Sequence, residues 1–222
     1  MVAEIRVRPA RHDEIRELAG VLMRAFEHDP FFSYLAGPAS ERRQRMRDGW
    51  NGILRYASAR LAHTWTTDDI AGVALWLPPG YRPSLIDNLR LVPEMARFAG
   101  WRRLRLVTDA LEVLEERRRR HVDGPHYYLS ALGVEPTRQG AGIGTALMRP
   151  VLDRCDAEGA PAYLETATAR NVLLYERVGF EVVEELTLPK TDIRGWLMRR
   201  PPAADRQVSS EVARYLDVAG NL

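Results

Sequence analysis

Tyr127-Tyr128-Leu129-Ser130-Ala131-Leu132-Gly133-Val134-Glu135-Pro136-Thr137-Arg138-Gln139-Gly140-Ala141-Gly142-Ile143-Gly144 decides the architecture. Residues 127–134 are almost wholly apolar or aromatic and stop at Glu135-Pro136, the pattern of a central strand buried on both faces. A helix reaching about Glu158 follows, with Ile143, Leu147, Val151 and Cys155 recurring every four positions and Met148 and Leu152 beside them. Pro150 removes one backbone donor inside that helix and predicts a kink. Gly159 reads as its C-cap. Between strand and helix the spacing is G-x-G-x-G, at Gly140, Gly142 and Gly144. Glycines there let N–H groups crowd toward an anion at a helix start, where unpaired donors and the dipole favour phosphate. Arg138 adds a cation. An anion site and a tight structural turn both fit this loop. A dinucleotide fold and a P-loop do not, because G-x-G-x-x-G after an N-terminal strand and Gly-Lys-Ser/Thr are both missing.

Working outward, Ile5 and Val7 alternate with arginines in a first strand that Pro9 ends. Asp13 can cap a helix running to about Glu27, and Glu27-His28-Asp29-Pro30-Phe31-Phe32 interrupts it. A second helix covers about Ser40 to Ala59. Leu61 to Thr66 and Ile70 to Leu77 form an antiparallel hairpin around Asp68-Asp69, stopped by Pro78-Pro79-Gly80. Residues 84–120 are a helical insert broken near Ala99-Gly100. The run Arg117 to Arg120 at its end reads as a solvated helix terminus suited to the dipole, with phosphate contact or partner docking as the other readings. After the glycine loop come a strand at Ala162 to Glu165, a helix at about Arg170 to Val178, and strands at Phe180 to Leu188 and Ile193 to Met198. Residues 1–201 are expected to form one domain. The tail 202–222 is polar apart from Val208 to Leu216, which predicts a short docking helix.

The 222 residues are 45% hydrophobic and 28% charged, which suits a globular core and not a disordered chain. Thirty-two basic residues against 30 acidic leave a net +2, too small and too dispersed an excess to expect nucleic acid. Cys155 is the single cysteine, so no intrachain disulfide and no zinc cluster is expected, and no other metal either. No segment has the form of a signal peptide or membrane span, which predicts a cytoplasmic protein without membrane contact. Monomer and homodimer are both open. Only Lys190 among the basic residues is lysine, a bias of the coding genome more than of function.

About 30 residues beyond the loop stands Asn171-Val172-Leu173-Leu174-Tyr175-Glu176-Arg177-Val178-Gly179-Phe180. Alone, Tyr175 reads as a packed aromatic and Asn171 as a helix-start residue using its amide locally. Together with the loop, the segment resembles the GNAT superfamily of acetyl-CoA-dependent N-acetyltransferases. The family's Arg/Gln-x-x-Gly-x-Gly/Ala motif is matched by Gln139, Gly142 and Gly144, and Gly140 also stands at a common family glycine. The Asn-x-x-x-Tyr and Gly-Phe signature is matched by Asn171, Tyr175, Gly179 and Phe180. His126-Tyr127-Tyr128-Leu129, Leu164-Glu165-Thr166, Arg170-Asn171 and Ala71 to Trp76 are similar to stretches of the puromycin N-acetyltransferase branch. The likeness is strong over 126–200 and moderate over 4–80. Over the insert it extends only to helical character, and the tail has none.

The resemblance implies an α/β (α+β) GNAT-like fold, a twisted mixed sheet of six to seven strands flanked by helices. Strand 127–134 would splay from 161–166, and acetyl-CoA would enter the gap. Backbone groups of Leu132 and Val134 would hold the pantetheine arm like an added strand. N–H groups from Gln139 through Gly140, Gly142, Ile143 and Gly144 to Thr145 would take the pyrophosphate, with the Arg138 charge beside them. Asn171 would grip the arm, and Tyr175 would protonate the departing thiolate. Glu165 is the first choice of base for the attacking amine, followed by His126 and the pair Glu27 and Asp29. Asp29 reads equally as a helix cap and His126 as a strand-start residue bonded to backbone. Phe31, Phe32, Tyr34, Trp76 and Tyr128 are expected to line an acceptor pocket. The implied reaction is acetyl transfer to a primary amine of a small molecule, an aminonucleoside antibiotic being one. Acetylation of a protein N-terminus or lysine is an alternative, and a non-catalytic CoA-binding sensor is another; intact Gln139, Gly142, Asn171 and Tyr175 argue against the last.

Overall fold

A computed structural model of the chain describes residues 4–58, 63–81 and 85–206. In chain order it contains β1 (Val7–Pro9), α1 (Ile15–Phe26), α2 (Pro30–Ala36), α3 (Ala39–Ser58), β2 (Thr64–Thr67) and β3 (Gly72–Leu77). Next come α4 (Leu85–Ala99), α5 (Leu104–His121), β4 (Tyr127–Val134), α6 (Ile143–Glu158), β5 (Ala162–Thr166), α7 (Ala169–Glu176), β6 (Glu181–Thr187) and β7 (Arg194–Arg200). The strands make one seven-stranded sheet in the order β1-β2-β3-β4-β5-β7-β6. Only β4 and β5 run parallel; every other pair is antiparallel.

Strand alternation divides the core between the two sheet faces. Val73, Leu75 and Ala131 pack against α1 and α3 together with Phe98 and Val107 of the insert. Ala74, Trp76 and Leu129 face the other way, onto Leu147, Val151 and Cys155 of α6. The four-residue period read in α6 is therefore its buried stripe. The helix runs through Pro150 without a break and ends on Gly159 at φ 61°, whose N–H bonds to the Cys155 carbonyl.

Three local expectations are corrected. Asp13 caps nothing: it lies in a 3-10 turn, His12–Glu14, and pairs with Arg11. The buried residue of that turn is Glu14, held by Arg8 at 2.6 Å. The first strand starts at Val7 and not at Ile5; it ends at Pro9 as read, with Pro9 opposite Trp65 on an edge strand whose outer side needs no N–H. The supposed interruption at 27–32 is itself the start of a helix, α2, with Asp29 as N-cap and Pro30 at the first turn. The helix expected at 208–216 lies outside the described residues, as do Leu61 and Ser84.

Candidate active site

The gap read from the sequence is present, and its cause is visible in the register. β4 pairs with β5 only at Tyr127↔Ala162 and Tyr128↔Tyr163. Against β3 the register slips between Leu75↔Ala131 and Trp76↔Leu129, leaving Ser130 as the extra residue of a bulge. A bulge bends its strand and increases the local twist, so β4 leaves β5 from about Leu129 onward. Beyond the bulge the Glu135 N–H donates to the carbonyl of Ala71, the residue just before β3. By alternation, Leu132 and Val134 turn their backbone groups to the opposite side, into the gap. The Val134 carbonyl accepts from the Gln139 side-chain amide at 3.2 Å.

The loop after β4 offers donors in the same direction. Residues 136–142 are exposed, and Gly140 and Gly142 sit at φ 82° and 83°, which requires glycine. Gly142 is the N-cap of α6 and no side chain bonds to that helix start. The N–H groups of Ile143, Gly144 and Thr145, the first turn of α6, have no intrahelical partner. A Cβ on Gly140 would meet nothing within 4 Å, so these glycines serve backbone conformation and access from outside, not internal packing. The loop and the open edge of β4 thus fit a pyrophosphate and an extended amide-bearing arm. Ile143 contributes only backbone, since its side chain is 2% exposed in the core. Arg138 is paired with Asp69 at 3.0 Å.

Where β4 and β5 part, the gap opens into a cavity of about 300 Å³. Its polar lining includes Asp29, Ser130, Glu165, Thr166, Asn171 and Tyr175. Burial pushes the Glu165 carboxyl up to about 7, with a Tyr128 hydrogen bond and the Arg118 charge acting in the opposite direction. Burial, and secondarily the nearby Asp29, push the Tyr175 phenol up, so its hydroxyl stays protonated. Asn171 donates weakly to the Thr166 hydroxyl at 3.4 Å. Asp29 accepts from the Phe32 N–H at 3.0 Å and the Thr168 hydroxyl at 3.2 Å. Both of its oxygens are therefore engaged, and burial raises its pKa.

The same cavity is lined by an aromatic cluster. Phe32 stands 4.4 Å from Phe26, 5.1 Å from Trp50 and 6.0 Å from Phe98, ring centre to ring centre. Phe31, Tyr56 and Tyr81 complete that wall, and Leu111 and Leu114 of α5 also line the cavity.

The expected residues therefore divide. Glu165, Tyr175, Asn171, Leu132, Tyr128, Asp29 and Phe31 meet at one cavity. Trp76 does not: it is fully buried on the α6 side of the sheet. Glu27 is half-buried and bound to Arg43, outside the cavity lining. His126 stands before β4 and bonds through Nδ1 to the Gly124 carbonyl at 3.0 Å, at the paired end of β4 and away from the gap. Tyr34 lies under the Arg103 guanidinium instead. Sequence reading missed Ser130, Thr166 and the aromatics Phe26, Trp50 and Phe98 as cavity walls. Helical spacing marked Phe26 and Trp50 as core, and one face of a helix serves a core and an internal cavity alike.

With this geometry in hand, the comparisons fall into place. A model of the Acetyltransferase (GNAT) family matches residues 23–180. An uncharacterised N-acetyltransferase of Schizosaccharomyces pombe is 26% identical over 234 residues, covering 92% of each chain. A Corynebacterium glutamicum structure described as histone acetyltransferase HPA2 and related acetyltransferase superposes with TM-score 0.65 at 23% identity, covering 90% of this chain and 97% of its own. A mosquito arylalkylamine N-acetyltransferase like 5b gives TM-score 0.61 at 18% identity, over 89% of this chain and 100% of that one. At such identities the structural likenesses speak to fold alone. The family match spans the gap, the glycine loop and the Asn171–Tyr175 helix, and the chain belongs to the GNAT family of acetyltransferases, with acetyl-CoA as its acyl donor.

Proposed function

We propose that the protein acetylates a small primary amine bearing an aromatic or bulky apolar body. The observation that carries this reading is one cavity lined both by Glu165 and Tyr175 and by the aromatic cluster of Phe26, Phe32, Trp50 and Phe98. The apolar wall favours burial of a ring, and the buried carboxylate favours an amine that enters as its cation. The reaction forms an N–C bond and breaks a C–S bond. Glu165 takes the proton that the amine must lose, directly or through one water, and its value near 7 suits a base at neutral pH. Tyr175 gives its hydroxyl proton to the departing sulfur. Asn171 and the outward backbone of Leu132 and Val134 hold the arm, and the N–H groups of 139–145 hold the pyrophosphate. Asp29 acts on the amine side as the cap that fixes α2 and Phe31.

A second reading, acetylation of a protein N-terminus or lysine, is favoured by the fold's likeness to the HPA2-related structure and to Chaetomium thermophilum Naa20 bound to a bisubstrate analogue. Insert side chains from α4 and α5 line the cavity and argue for the small amine. The puromycin-like stretches add an aminonucleoside to the panel without selecting it over other aryl amines. Free-thiol release from acetyl-CoA across arylalkylamines, puromycin-like aminonucleosides, polyamines and peptides tests the reading. Turnover of peptides with no response to aryl amines would refute it.

A further inference from the structure

Helix α5 ends in four consecutive arginines, Arg117 to Arg120, which the sequence reads as a solvated terminus. Two of them behave so: Arg119 reaches Glu115 and Arg120 reaches Glu116 within the helix, at 76% and 54% exposure, while Arg117 is partly buried and reaches across to Glu184 on β6. Arg118 differs. Its side chain is 20% exposed, bonded to Glu115, and its guanidinium carbon lies 4.5 Å from the centre of the Tyr128 ring. A guanidinium over an aromatic face is attracted by the ring quadrupole, more strongly where water is excluded. Tyr128 pairs in register with Tyr163 on β5, Glu165 stands two residues further along β5 on the same face, and Tyr128 and Glu165 both line the cavity. The chain of contact therefore runs from the insert, through one ring, to the neighbourhood of the Glu165 carboxylate.

We propose that Arg118 is a positioning residue: from α5 its guanidinium holds the Tyr128 ring, and the Tyr128 hydroxyl in turn orients the Glu165 carboxylate toward the gap. This rests on Glu165 being the base of the proposed reaction. Arg118 acts through Tyr128 and touches no reacting atom. Its charge also bears on the carboxylate. Burial raises Glu165, while the Tyr128 hydrogen bond and the Arg118 cation pull it back. The other ionisable groups around that carboxylate are few. Tyr163 lies on the same strand, with Glu184 acting on it from β6. Asp29 and Tyr175 share the cavity, and Arg194 on β7 is paired with Glu185. Arg118 is the cation that bears directly on Glu165. The insert thus does more than wall the cavity: it sets the pH at which the base is ready.

The titration needs no acceptor. The full-length protein, labelled with 13C at glutamate side-chain carboxyls, is titrated by NMR, and Glu165→Gln assigns the Glu165 resonance by its disappearance. A midpoint near 7 is expected for the wild type. In Arg118→Met the midpoint is expected to rise by about one pH unit, which takes the ionised fraction at pH 7 from about one half to about one tenth. Arg118→Lys keeps a cation and is expected to recover most of that rise. Thermal melting confirms that both variants are folded. A folded Arg118→Met with its midpoint within about 0.3 of wild type would overturn the proposal, as would Arg118→Lys shifted as far as Arg118→Met. Acetyl transfer by Glu165→Gln separates the two levels. A fully active Glu165→Gln removes the base and the Arg118 role together. An inactive Glu165→Gln beside an unmoved Arg118→Met midpoint removes the Arg118 role alone.

Discussion

In the proposed reading the two sides of the β4–β5 gap recognise their ligands by different means. On the acetyl-CoA side the working groups would be main chain: the outward edge of Leu132 and Val134, and the first N–H groups of α6 beyond Gly142. On the acceptor side they would be side chains, an aromatic cluster around Phe32 and Trp50 from the helices together with the carboxylates of Asp29 and Glu165. Main-chain recognition is bought with conformation, so it leaves a trace in glycine spacing. Side-chain recognition leaves residues that read as core. The same chain can therefore declare its acyl donor and conceal its acceptor.

The sharpest break between the sides is expected at Tyr175. Tyr175→Phe keeps the ring and its edge contact with Phe180, whose centre is 6.0 Å away, and removes only the hydroxyl. Single-turnover transfer at saturating acetyl-CoA is expected to fall by roughly 10²–10⁴, with the acetyl-CoA dissociation constant changed only a few-fold. A variant that keeps more than about half the wild-type single-turnover rate excludes the proton-donor role.

Glu165 gives the next effect and separates activity from stability. The base works only when deprotonated, so kcat/KM is expected to rise about tenfold per pH unit below 7 and to level off above it. Glu165→Gln is expected to lose that limb. The linkage has the opposite sign for stability. Burial raises the folded-state pKa above the unfolded value, so the native state holds more protons and loses stability as pH rises through about 7. Glu165→Gln is therefore expected to melt above the wild type at pH 8 and not at pH 4, which a pair of thermal scans decides.

On the main-chain side, Gly142→Val forces a β-branched residue to φ 83°, at a cost of about 1–3 kcal/mol. The new Cβ would meet only Ile5 Cδ1, at 3.8 Å, so the fold has room for it. The loop is expected to relax instead and to misalign its donors. Acetyl-CoA binding is then weakened about 10–100-fold by calorimetry. If the loop is only a tight turn, the variant melts lower and its affinity is unchanged.

These effects track what was legible. Strand 127–134, helix 143–158 and the splay between β4 and β5 follow from apolar runs, a four-residue period and a family signature, and the structure has all three. Boundaries slipped where short-range chemistry decides them, as at Asp29-Pro30, where cap and proline start α2 instead of merely breaking α1. The acceptor site was half legible. Glu165 and Asp29 reach the cavity, whereas Trp76 and His126 do not, because strand alternation turns Trp76 to the α6 face and β4 starts beyond His126 at its paired end. Arg118 was hidden in a run of four alike, and only the phase of α5 distinguishes it.

The smallest expected effect closes the comparison from the silent side. His126 was second in line as a base, yet its Nδ1 is committed to the Gly124 carbonyl at 3.0 Å and it faces Tyr163 edge-on, 6.3 Å between ring centres. Burial depresses its pKa, with Arg118 pushing the same way and the Gly124 bond opposing. His126→Gln keeps a side-chain donor for that carbonyl and removes the titration. Acetyl transfer at pH 7.5 is expected to stay within about twofold of wild type, the scale of a substitution outside a reacting site. The residue's signature belongs to stability instead. A histidine whose folded pKa lies below its unfolded value binds fewer protons in the native state, so it favours folding above the unfolded value near 6.5 and loses that contribution as pH falls. The wild type is therefore expected to lose melting temperature between pH 7.5 and 5.5 slightly faster than His126→Gln. A collapse of the transfer rate in a folded His126→Gln would move the base from Glu165 to the paired end of β4 and break the division between the two sides of the gap.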